Sequence, residues 1–138
     1  MKTIEQEIYL DCDAAGFREA FLTTALHSEI TGAEASISDQ LGEAFSAYDG
    51  YINGRNILIE KNRIVQSWIA DEPEWPDGHI SEIELGLEES EKGLRISFVH
   101  REVPEALFDS LAKGWYSYYW ESFKSYFSAG SSTGKSER

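Results

Sequence analysis

Residues 104–127 read PEALFDSLAKGWYSYYWESFKSYF, and the reading of this stretch decides the fold. Pro104 suits a first helical turn, where its missing N–H would have had no partner. No other proline follows before Phe127. At helical spacing Phe108, Leu111, Trp115, Tyr119 and Tyr126 fall on one side, and Tyr116, Trp120, Phe123 and Phe127 form an adjoining stripe. Glu105 and Asp109 sit in the first turns, where the helix dipole favours negative charge, and Lys124 lies near the other end. Gly130 and the polar residues after it predict the helix end, with residues 129–138 a disordered tail beyond one domain over residues 1–128. A helix with so wide an apolar arc must lie against something broad, and the rest of the chain offers mainly strands.

Upstream, Ile4 to Leu10 alternates and reads as a first strand, with Ile4, Gln6 and Ile8 opposed to Glu5, Glu7 and Tyr9. Asp13 can cap a helix from about Ala14, with Phe17, Phe21, Leu22 and Leu26 inward, and a second short helix precedes Gly32. Glu34 to Ser38 fits an edge strand. Glu43 to Tyr48 alternates, and Asp49-Gly50 turns it into a strand from Tyr51 to Glu60, where Asn53-Gly54 predicts a bulge or bend. Lys61-Asn62 leads to Arg63–Ile69, and a loop with Pro73, Trp75, Pro76 and Gly78 leads to His79–Glu88. The last strand, Gly93–His100, follows a turn at Glu89–Lys92. The order predicts an α+β fold in two layers: a curled antiparallel sheet of six or seven strands wrapped on the long C-terminal helix, with two short helices after the first strand. A cavity between such a sheet and helix is the default ligand site.

A chain of 138 residues, 41% hydrophobic, can bury a real core and is not disordered. The net charge of −13 argues against nucleic acid and against anionic lipid. Acids crowd Asp71 to Asp77 and Glu82 to Glu91, which reads as a solvated outer face or as a docking surface for a basic partner. Cys12 is the single cysteine, so no internal disulfide forms and a reducing compartment is expected. No run approaches the roughly 20 apolar residues of a membrane helix, and the first residues do not read as a signal peptide. The expectation is a cytoplasmic protein without membrane insertion.

Several stretches carry a family likeness. They are Phe45–Gly54 (FSAYDGYING), Arg63–Trp68 (RIVQSW), Trp75–His79 (WPDGH), Leu94–His100 (LRISFVH), Val103-Pro104, Gly114–Trp120 (GWYSYYW) and Phe123-Lys124. In this order and spacing the chain resembles the START/SRPBCC superfamily of helix-grip domains. More narrowly, it resembles domains related to the activator of the heat-shock protein 90 ATPase. The resemblance covers about Phe45 to Phe127. It implies a helix-grip fold with a pocket for a hydrophobic small molecule, and a heat-shock protein 90 chaperone as a partner in a stress context. A further branch of the superfamily, of cyclases and other enzymes, implies an acid–base alternative.

The candidate cavity residues are Tyr48, Trp68, Ser81, Ile83, Phe98, His100, Leu111, Trp115, Tyr119 and Phe123, with His79, His100 and Tyr118 as polar contacts. Aromatic rings on the helix meeting short strand residues such as Ala44, Ser46, Gly54, Ser67 and Ser81 leave either gaps or an ordinary filled core. Strand parity puts Ser81 opposite His100 with His79 diagonal on the same face. Such histidines orient a ligand, act as acid or base, or serve as structural residues. Gly114 either lets a segment approach the helix or is a costly exception. No Cys/His spacing matches a metal ligand set, His27 is distant in sequence, and no glycine pattern makes a phosphate cradle. No metal, cofactor or catalytic residue is assigned. The expected function is a non-enzymatic module holding a hydrophobic or aromatic small molecule. The alternatives are direct stimulation of a heat-shock protein 90 ATPase, or a cyclase- or hydrolase-like enzyme in which His79, His100 or a tyrosine acts in the same cavity.

Overall fold

The computed structural model describes the backbone of residues 1–136 and the side chains of residues 1–128. The expected tail at residues 129–138 lies outside the described side chains. The strands are β1 (Lys2–Leu10), β2 (Ala44–Ala47), β3 (Ile52–Glu60), β4 (Arg63–Ala70), β5 (Ser81–Ser90) and β6 (Gly93–Val103). They form one antiparallel sheet in the order β1-β6-β5-β4-β3-β2. Helices α1 (Ala14–Leu22) and α2 (Thr24–Thr31) follow β1. The C-terminal rod comprises a 3₁₀ turn at Glu105–Leu107, α3 (Phe108–Gly114), a π-helical turn at Trp115–Trp120 and α4 (Glu121–Ser136). This is the helix-grip architecture that the order of elements predicts.

Local chemistry sets the two short helices. The Asp13 carboxylate accepts from Gly16 N at 2.7 Å and so satisfies an orphan donor of α1. Gly32 ends α2 in the left-handed region, φ +77, with its N–H on the Ser28 carbonyl. Glu34–Ser38 does not form the expected seventh strand; only an isolated bridge joins Ser36 to Ser46. On the edge away from β2, side chains of α2 take the backbone groups of this segment. Thr24 Oγ1 accepts from Ile37 N and donates to Ile37 O, and Ser28 Oγ accepts from Ala35 N.

Two further details depart from expectation. The register of β3 on β4 shifts between Asn56 and Leu58, not at Asn53-Gly54. Gly54 instead answers a close approach, since a Cβ there would stand 1.9 Å from the Ser67 carbonyl oxygen. In the β5–β6 hairpin the turn is tighter than Glu89–Lys92, with Ser90 paired to Gly93, so Ile83 and not Ser81 lies opposite His100. Ser90 Oγ donates to Gly93 O and accepts from Lys92 N, and Gly93 has φ +107, which together hold the chain in a two-residue turn.

The rod is continuous but not uniform. Trp115 N–H bonds the Leu111 carbonyl, four residues back, whereas Glu121 N–H reaches five back to Tyr116. A regular helix turns 100° per residue, which would set Trp120 about 140° round from Trp115 and off the sheet. The wider π turn brings Trp120 back, so Trp115 and Trp120 are both buried against Phe98 of the sheet, while Phe123 is buried against Phe17 and Phe21 of α1. Tyr116, expected to share the Trp120 stripe, is consequently exposed. Nor does the helix end at Gly130: α4 runs to Ser136. A glycine costs a helix only about 1 kcal/mol, and no proline stops the chain there.

Gln6 of β1 is the polar tie between the layers. Its Nε2 donates to Ala112 O at 2.9 Å, and its Oε1 accepts the Trp120 indole N–H at 2.8 Å. On the outer face Glu82 and Glu84 of the acid-rich stretch pair with Arg101, and Glu84 also with Arg63. Those pairs are partly solvent-exposed, and such pairs contribute about 0–1 kcal/mol each. Burial of the aromatic rings holds the layers together, at about 2–3 kcal/mol for a fully buried large side chain.

Candidate functional site

The hollow of the sheet is mostly filled. Phe98 meets the Trp115 ring at 4.4 Å between centroids, Trp115 stacks on Trp120, and Phe123 closes on Phe17 and Phe21. At one end of the grip a cavity of about 530 Å³ stays open. The β2–β3 turn and the start of β3 supply Tyr48, Tyr51 and Ile52, while β4 supplies Trp68 and the loop after it Glu72. From the rod come Ser110, Leu111, Gly114, Trp115, Tyr118 and Tyr119.

The turn is held in an unusual shape. Tyr48, Asp49 and Gly50 all have positive φ, at +51, +56 and +89. For a bulky tyrosine this is strained backbone. Asp49 secures it, because its side chain accepts from Glu34 N and its own N–H bonds Glu34 O, both at 2.9 Å. Tyr48 thereby leaves the strand and swings its ring over the cavity mouth, where its hydroxyl donates to the Tyr118 carbonyl and its ring meets Tyr119 edge-on. Burial pushes the Tyr48 phenol up to about 12, so it stays a neutral donor.

Of the ten expected wall residues, Tyr48, Trp68, Leu111, Trp115 and Tyr119 line the cavity, and so does Tyr118, expected as a polar contact. Ser81, Ile83, Phe98, His100 and Phe123 do not; they are buried core beneath it. Tyr51, Ile52, Glu72, Ser110 and Gly114 line the cavity without having been expected. A signal existed for two of them: Ser110, Gly114 and Tyr118 recur every fourth residue beside Leu111, Trp115 and Tyr119. No segment approaches Gly114 closely. A Cβ there would meet only Tyr118 Cδ2, at 3.7 Å, so the missing side chain is part of the open space.

His100 is fixed at both nitrogens. The Trp115 indole N–H donates to Nδ1 at 3.1 Å, and Nε2 lies 2.9 Å from Ser81 Oγ. Ser81 spends its own proton on the Trp68 carbonyl, at 2.6 Å, so its oxygen accepts and His100 carries the proton on Nε2. Burial alone depresses this ring to about 3, which keeps it neutral. It reaches neither the cavity nor His79. That second histidine stands before β5, its Nε2 on the Glu102 carbonyl at 2.7 Å and its ring against Trp75. The pair expected on one face is therefore split.

The histidine the sequence set aside, His27, is the one that supports the cavity wall. Its Nδ1 bonds the Phe21 carbonyl at 2.8 Å, so Nε2 accepts from the Tyr119 hydroxyl at 2.9 Å. Burial lowers the His27 pKa and raises that of the Tyr119 phenol, holding both neutral. Cys12 is half-buried beside Asp13, Asp11 and Glu89, and burial foremost pushes its thiol up to about 12. Such a thiol is no nucleophile at neutral pH. Among the described residues no group of three His, Cys, Asp or Glu side chains could hold a metal. No helix among them is long and apolar enough to cross a membrane.

With this geometry in view, residues 18–128 match the family described as "Activator of Hsp90 ATPase homolog 1-like protein". The chain belongs to that family. No curated protein matches it. Among solved structures, this Hsp90-activator-like chain is similar to a Mesorhizobium loti protein, MLL2253, with a TM-score of 0.74 and 13% identity over 90% of this chain and 95% of that one. It is similar to an HSP90 activator from Plasmodium falciparum, with a TM-score of 0.67 and 20% identity over 83% and 86% of the two chains. A third is DynU16 of the dynemicin biosynthetic locus, with a TM-score of 0.76 and 12% identity over 94% of this chain and 48% of that one. At these identities the likenesses show the shared fold alone.

Proposed function

We propose that this member of the Hsp90-activator-like family is a non-enzymatic binding module that holds a small hydrophobic or aromatic molecule at the open end of its grip. The observation that carries this reading is the cavity of about 530 Å³, walled by Tyr48, Trp68, Leu111, Trp115, Tyr118 and Tyr119. Its size and apolar lining suit a ligand of several rings or a short acyl chain. Binding is preferred to catalysis because His100 has both nitrogens in protein hydrogen bonds and His79 lies outside the cavity. A cytoplasmic, reducing setting goes with this reading and rests on the single cysteine. The family description adds an Hsp90 chaperone as a protein partner, which would contact the outside of the domain.

Titration with 2-naphthol, followed by tryptophan fluorescence, tests the reading. Trp68 and Trp115 line the cavity, so saturable quenching without any chemical change in the naphthol is expected. Gly114→Leu, which places a side chain in the open space, should abolish the quenching while leaving the fold's circular dichroism intact. Linear, unsaturable quenching that the variant does not alter would overturn the proposal.

A further inference from the structure

The cavity wall carries one formal charge, and it is negative. Glu72 is the sole ionisable acid or base at neutral pH among the lining residues; no lysine, arginine or histidine joins it. The Tyr51 hydroxyl donates to Glu72 Oε2 and pins the carboxylate at the cavity's edge. Its other oxygen takes no protein hydrogen bond among the described residues and remains free for a ligand. Six aromatic rings line the same cavity, those of Tyr48, Tyr51, Trp68, Trp115, Tyr118 and Tyr119. These rings meet at angles, Tyr48 on Tyr119 at 79° and Trp68 on Trp115 at 41°, and not in one stack.

A purely apolar ligand would strip water from that carboxylate and return nothing. An anion would be repelled by it and by the net charge of −13. A cation gains both from the carboxylate and from the negative faces of the rings, an arrangement suited to ammonium and quaternary ammonium groups. From this we infer that the cavity selects a ligand carrying an ammonium-type cation on an apolar body, with the cationic head at Glu72 and the body against Leu111 and Trp115. The inference rests on the binding reading above and names the class of ligand for the same site.

Three probes of one shape test it: benzyltrimethylammonium, its neutral carbon isostere neopentylbenzene, and the anion benzylsulfonate. Each is titrated into the intact protein at near-physiological salt, where exposed charges farther away than about 8 Å are screened. Amide and indole NMR shifts at Gly114, Trp68 and Trp115 report binding. The cation should bind at least about tenfold more tightly than the isostere, and the anion should not bind. In Glu72→Gln, which can still accept the Tyr51 hydrogen bond, the cation's preference should fall severalfold, to what the rings alone supply. Glu74→Gln, which alters an exposed acid outside the lining, should keep the full preference. Equal binding of cation and isostere by the native protein would overturn this inference and leave the binding module standing. A preference equally weakened by Glu74→Gln would reduce it to diffuse attraction and overturn it as well. No shift with any probe would overturn both readings.

Discussion

His100 is bound at both ring nitrogens and shut away from water, and that arrangement has a cost in acid. Its folded pKa lies near 3, well below the ordinary value of 6.5, because burial penalises the charged ring. The unfolded chain therefore takes up the proton more readily. The stability that His100 contributes is full above about pH 6.5 and is lost as pH falls from there towards 3. Within that window the expected slope is about 1.4 kcal/mol per pH unit from this residue. His27, also lowered by burial, acts in the same direction. Urea unfolding at pH 7, 6 and 5 measures the slope, and His100→Gln should flatten it. A native protein equally stable at pH 6.5 and 5 would contradict the assignment. Strand parity made the shared face of Ser81 and His100 legible in the sequence. The register was not, because it hangs on side-chain bonds of Ser90 inside a turn. His27 was illegible for a different reason: its partner Tyr119 lies 92 residues away and meets it only when the rod is docked.

At the scale of elements, the rod departs most from its sequence pattern. Two apolar stripes in residues 104–127 predict a helix and its buried face, and a rod with such a face is there. The stripes give no hint of the π turn. An extra residue in one turn is chosen by what the rings meet on the sheet, Gln6 for Trp120 and His100 for Trp115. Gly114, the last residue of α3, closes the segment before that turn with ordinary helical angles, φ −61 and ψ −37. Alanine fits there without a clash. Gly114→Ala should thus stabilise the protein by about 0.5–1 kcal/mol, through lower backbone entropy in the unfolded chain. Urea titration measures it. Destabilisation would show that the glycine is needed for a conformation other than the one described.

For the whole molecule, element order alone was enough to read a sheet gripping a terminal helix. Alternation marks strands, wide arcs mark helices, and a one-faced sheet needs a cover. The place of the cavity was not legible in the same way. Empty space is the difference between two packed surfaces, and here it depends on the strained Tyr48 turn, the loop at Glu72 and the absent side chain of Gly114. Most of the hollow that the strands enclose is filled by Phe98, Trp115, Trp120 and Phe123, and the end beyond them stays open. The central claim is that this end receives a small molecule. Intermolecular nuclear Overhauser effects between bound 2-naphthol and the protein test it most directly. Cross-peaks to the methyl groups of Ile52 and Leu111 and to the ring of Trp115 are the predicted result. Cross-peaks confined to exposed apolar residues such as Leu41, Ile57 or Ile80, or none at all, would contradict it.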